Sequence, residues 1–68
     1  MATPEAFGAQ VRAARRAKDI TQIRLGRMIG CSGSHICAIE KAYVEADEKE
    51  RRRLTKALKL PRSRKGAG

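Results

Sequence analysis

Fifteen side chains have to build whatever core this chain has. Of the 28 apolar positions among its 68 residues, eleven are alanine and two are cysteine, which leaves fifteen Val, Ile, Leu, Met, Phe and Tyr side chains. A domain of this length buries only about 60% of the surface its unfolded chain exposes, so the set supports one small domain of modest stability. It excludes a large pocket, a dinucleotide-binding βαβ unit and a multi-domain enzyme. The chain also carries 16 Lys and Arg against 7 Asp and Glu, a net charge of +9. Self-repulsion of that size opposes compaction, and its usual counterpart is a polyanionic partner.

The apolar residues recur at helical spacing throughout. Thr3, Pro4 and Glu5 make a helix start, with a capping hydroxyl, a proline suited to the first turn and an acid at the positive end of the dipole. Phe7, Val11 and Ala14 follow at i, i+4 and i+7, which predicts an amphipathic helix to about Lys18. Asp19 and Ile20 break it. Thr21 caps a second helix, with Gln22 in its first turn and Leu25, Met28 and Ile29 as its apolar stripe. Gly30 ends that helix, because glycine enters the left-handed conformation at little cost.

Ser32 caps a third helix after the short turn Gly30-Cys31-Ser32, and Ile36, Ile39 and Tyr43 are its expected inward positions. A fourth helix is predicted from Asp47 to Leu60. It places Asp47, Glu48 and Glu50 first and Lys56 and Lys59 last, the order the helix dipole favours. Pro61 stops it. Residues 4–60 are therefore expected to form one all-α domain, and residues 61–68 a mobile basic tail with nothing to bury.

Two short helices joined by a three-residue, glycine-containing turn suggest a helix-turn-helix, whose second helix enters the DNA major groove. The residues at that point carry a further likeness. Thr21-Gln22-x-x-Leu25-Gly26-x-x-x-Gly30-Cys31-Ser32-x-Ser34-x-Ile36-x-x-Ile39-Glu40 resembles the Cro/C1-type (XRE-like) helix-turn-helix family, with small phage Cro and repressor proteins among its members. The resemblance covers residues 7–60 and implies a small lambda-repressor-like domain of four helices, or five where a dimerising helix is added. It implies that Gln22 anchors a backbone phosphate at the groove edge. It also implies a partly buried ion pair, Arg15 with Glu40, tying the first helix to the third. Both residues sit near apolar faces, where a lone charge would be costly.

The chain departs from the family pattern at several points. Ala42 and Ala46 stand where the family commonly has glycine and proline. Gly26 replaces an alanine, and Arg51 replaces an inward leucine in the last helix, leaving Leu54, Ala57 and Leu58 to pack. With no fifth helix in sight, we expect a monomer or weak homodimer that pairs on DNA.

By resemblance, the base-reading positions are Gly33, Ser34, Cys37, Ala38 and Lys41 on the third helix. The set is chemically plain: it has no Arg, Gln or Asn for bidentate contacts to guanine or adenine. Ser34 suits several bases, Ala38 or Cys37 a thymine methyl, and Gly33 lets the backbone approach the DNA. Affinity should then lean on phosphates, through Gln22, Arg24, Arg27, Ser32, the Arg51-Arg52-Arg53 run, and Arg62, Arg64 and Lys65 of the tail.

Other chemistries fare worse. Cys31, His35 and Cys37 form a C-x3-H-x-C string that lacks a fourth zinc ligand, so neither metal nor cofactor is expected. His35 is expected on the exposed, groove-facing side of its helix with no pocket around it, which leaves no nucleophilic triad and no enzyme. Single-strand stacking is disfavoured because Phe7 and Tyr43, the only aromatics, sit at core spacing. No apolar run approaches the roughly 18 residues of a membrane span. The amino-terminal residues lack a secretory pattern, so a cytoplasmic protein of a bacterial or phage-infected cell is expected.

The leading expectation is a Cro-like repressor of double-stranded DNA. One alternative is an architectural or excision factor that bends DNA. Another is an antitoxin-type regulator that binds a protein, which would need an exposed apolar groove that the sequence does not advertise.

Overall fold

Four capping side chains divide the described residues into four helices. The computed structural model describes residues 3–60. Thr3, Thr21, Ser32 and Asp47 are all extended, and each side-chain oxygen accepts from the backbone N–H three residues on. The helices they start are α1 (Pro4–Ala17), α2 (Gln22–Ile29), α3 (Gly33–Glu40) and α4 (Glu48–Leu58). At α4 the cap is reciprocal: Glu50 N–H donates to Asp47 at 2.8 Å, and Asp47 N–H donates to the Glu50 carboxylate at 3.1 Å. Among the described residues there is no strand.

The four helices also end alike. A residue with positive φ follows each one: Asp19 (59°), Gly30 (84°), Ala42 (60°) and Lys59 (55°). The next N–H reaches back five residues in every case, from Ile20 to Arg15, Cys31 to Gly26, Tyr43 to Ala38 and Leu60 to Thr55, at 2.8–3.0 Å. This closure satisfies carbonyls that a helix end otherwise leaves open, and it commonly carries an apolar residue onto the helix just finished. Ile20, Cys31 and Leu60 do turn inward against the core. Tyr43 does not, and stays 76% exposed.

Phe7 and Val11 of α1, Leu25 and Ile29 of α2, Ile36 and Ile39 of α3, and Leu54 and Leu58 of α4 form the core, joined by Ala46 and Leu60 from the connections. α3 packs on α2 and α1, and α4 closes against α2 and α1. Each large side chain removed from water contributes roughly 1.5–3 kcal/mol before conformational entropy is set against it. Two glycines bring backbones into contact. A Cβ on Gly8 would lie 2.5 Å from the Ile39 carbonyl oxygen and 2.7 Å from that of Glu40, and one on Gly26 would lie 2.5 Å from the Cys31 carbonyl oxygen.

The apolar spacing misplaces two side chains. Met28 is half-exposed and Tyr43 points to water, so neither belongs to the core assigned to it from the sequence. Tyr43 fails because α3 ends at Glu40 and the left-handed Ala42 turns the chain before the period comes round again. α4 is also shorter than its charge pattern predicts, since Lys59 already leaves the helical conformation.

Candidate nucleic-acid interface

The unit formed by α2, the Gly30–Ser32 turn and α3 is held by contacts at both ends of α3. At the amino end Gly33 lies against α2: a Cβ there would meet Ile23 Cγ1 at 2.8 Å and Ile23 Cα at 3.1 Å. The close approach that Gly33 permits is therefore to another helix of the same chain. At the carboxyl end Glu40, its side chain 3% exposed, accepts from Arg15 Nε at 2.6 Å, Arg15 Nη2 at 3.2 Å and Gln22 Nε2 at 3.1 Å. Arg15 Nη1 also donates to the Ile20 carbonyl at 2.8 Å. Nearly every lone pair of the carboxylate thus has a donor, which is what makes burial of the charge tolerable.

The five candidate reading residues lie on α3 or at its C-cap. Ser34 and Lys41 are exposed, whereas Gly33, Cys37 and Ala38 are half-buried. Ser32 sits at the cap, its hydroxyl already accepting from His35 N–H at 3.1 Å. Arg24 and Arg27 are exposed on α2. Gln22 is half-buried, and one N–H of its amide is committed to Glu40, so any phosphate contact must come from what remains of that amide.

The arginine run of α4 is not a single patch. Arg51 lays its guanidinium 4.9 Å from the centroid of the Phe7 ring, taking the inward place where a leucine was expected by resemblance. Arg53 Nη1 donates to the Ile29 carbonyl at 3.3 Å, at the end of α2. Arg52 points to water, 3.7 Å from Glu48. As the structure stands, Arg51 and Arg53 are engaged by the fold, which weakens their assignment to phosphates. Arg62, Arg64 and Lys65 lie outside the described residues.

His35 corrects another expectation. Its Nε2 is 2.7 Å from Glu50 Oε2, so it faces α4 and ties that helix to α3 rather than pointing to the groove side. Burial, and then the nearby Glu50 carboxylate, push the Cys31 thiol up from its ordinary value. Among the described residues no three His, Cys, Asp or Glu side chains gather where a metal ion could sit. No described helix is long and apolar enough to cross a membrane.

Two features of this face escape sequence reasoning. Arg12 and Arg16 of α1 join Arg15, Gln22, Glu40 and Lys41 around a depression of about 220 Å³. Neither Arg12 nor Arg16 has a carboxylate partner among the described residues. Their signal was available: like charges four residues apart on a helix repel, so they point to a counter-charge from outside. The second feature is apolar. Ile23 is 62% exposed and Met28 50%, beside Arg24 and Arg27, and Val44 joins Tyr43 at the surface. The chain thus exposes more apolar surface than its sequence advertised. No family model, no curated protein and no solved structure matches the chain.

Proposed function

We propose that the chain is a sequence-specific regulator of double-stranded DNA, Cro-like in plan, in which α2, the Gly30 turn and α3 act as a helix-turn-helix. The supporting observation is the division of labour on α3. Ile36, Ile39 and Glu40 tie it to the fold, while Ser34 and Lys41 are exposed and Cys37 and Ala38 lie outside the core. Arg12 and Arg16 border a depression with Lys41, Arg24 and Arg27 are exposed on α2, and none of these four arginines has a carboxylate partner among the described residues. Cations flanking a slim helix face suit a duplex: the arginines meet phosphates and fix position, and α3 reaches base edges in the major groove. Such a protein would act in the cytoplasm of a bacterial or phage-infected cell.

Selection of bound sites from a random duplex pool tests this. Enrichment of one motif, in half-sites about one helical turn apart, is the expected result. Failure to enrich any motif, with binding equal on all duplexes, would overturn it. A second reading, DNA bending with little base readout, draws on the small size of Gly33, Ser34, Cys37 and Ala38. Measured bending of random and selected duplexes alike would favour that reading.

A further inference from the structure

We propose that Ile23, on α2, is a specificity-determining residue that contacts the 5-methyl group of a thymine; this rests on the DNA reading given above. Residue 33 opens the recognition helix and has no side chain. The space in which one would begin is filled by Ile23, whose Cγ1 would lie 2.8 Å from a Cβ at that position. Ile23 therefore sits at the amino end of α3, on the flank where a side chain of residue 33 would otherwise stand. It is 62% exposed, an unusual state for a β-branched apolar residue on the first turn of a packed helix.

Its surroundings name the occupant. Thr21, Arg24 and Arg27 border the same open depression as Ile23 and Met28, so the apolar group lies within a cationic frame. A partner that supplies phosphates and an apolar group together fits that frame. In the major groove the only apolar group on a base edge is the thymine methyl. The small residues Gly33, Ser34 and Ala38 present little bulk, which lets α3 sit deep and brings the first turn of α2 to the groove edge. The plain chemistry of α3 is then completed from the neighbouring helix.

Replacing thymine by uracil removes only that methyl, which makes the test specific. The intact chain and Ile23→Ala would be titrated against the selected site with each thymine replaced in turn. For the parent, one replacement per half-site should weaken binding roughly fourfold, the equivalent of one buried methyl-sized group. For Ile23→Ala the same replacement should cost nothing further, and Ile23→Val should fall between. Thermal melting of both variants, expected to match the parent because the side chain is exposed, separates contact from fold. Equal uracil penalties in parent and Ile23→Ala would overturn the proposal, as would a uniform loss on every duplex. Those outcomes leave sequence-specific binding in place, whereas absence of any selected site overturns the DNA reading itself. Should Ile23→Ala bind DNA like the parent and instead lose a protein partner, the patch serves protein contact and the proposal falls.

Discussion

The two ends of α3 are held by different physics. At the amino end the contacts are mainly steric: Gly26 and Gly33 let backbones touch, Ser32 caps, Gly30 turns the chain in a conformation natural to it, and one half-exposed polar contact, His35 Nε2 to Glu50 at 2.7 Å, is added. At the carboxyl end Gly8 gives a similar backbone contact, but a buried ion pair is added and the turn is made by Ala42 at φ 60°. An alanine there costs about 1 kcal/mol more than a glycine. The amino end, with Gly33 and Ser34, has a relaxed backbone, and the carboxyl end, beside Lys41, combines strain with a buried charge. Anchoring α3 through Glu40 at one end leaves Ser34, at the other, exposed.

Breaking the ion pair should have the largest effect. Glu40→Leu leaves Arg15 buried without a counter-charge and Gln22 without an acceptor, and should destabilise the domain by about 3–5 kcal/mol in urea unfolding. Adding Arg15→Met should recover much of that loss; a double variant no more stable than the single one would show that the charges, as a pair, are worth more than their burial costs. Gly8→Ala should come next, at about 1–3 kcal/mol, because its Cβ meets two backbone carbonyls rather than a flexible side chain. Gly26→Ala probes the opposite end under the same constraint. A parent-like melt there would mean that the Cys31 carbonyl yields easily.

Exchanging the turn residues sharpens the contrast at a smaller scale. Ala42→Gly should stabilise by about 1 kcal/mol and Gly30→Ala should destabilise by about the same amount, read from paired thermal melts. Equal and opposite shifts would confirm that the two ends differ in backbone strain. The last test should leave stability unmoved. Ser34→Ala should change the preferred base at one position per half-site without altering the salt slope. Arg27→Ala should weaken all duplexes alike and lower that slope by roughly 1. A preference profile untouched by Ser34→Ala would move the bending reading ahead.

Much of this architecture is legible in the residues, and its gaps have physical causes. Thr3, Thr21, Ser32 and Asp47 announce helix starts because capping depends on one side chain and its own next turn. Helix ends are harder: all four close in the same way, yet only Gly30 carries the residue that advertises it, while Asp19, Ala42 and Lys59 take left-handed backbone without a glycine. That is why helical spacing alone points Tyr43 inward. Arg15 and Glu40 could be paired from the apolar faces they sit on and from a sequence resemblance, and the structure brings them to 2.6 Å. His35 with Glu50 and Arg51 with Phe7 could not, since each contact depends on how α4 lies across the others, which no local pattern encodes. Nothing in its own sequence neighbourhood marks Ile23, because its neighbour Gly33 matters to it only in three dimensions.

The carboxylate of Glu40 has a consequence for how this chain can change over generations. It binds α1 and α2 to α3 through Arg15 and Gln22, so none of the three positions can drift alone without stranding the others. Among the described residues Ser34 and Lys41 make no side-chain hydrogen bond or ion pair, and Cys37 and Ala38 lie outside the core. Substitutions there escape the veto of the scaffold. The molecule is thus divided into a part that must be inherited whole and a part that can be rewritten one residue at a time; on the DNA reading proposed above, new targets could be acquired without refounding the fold.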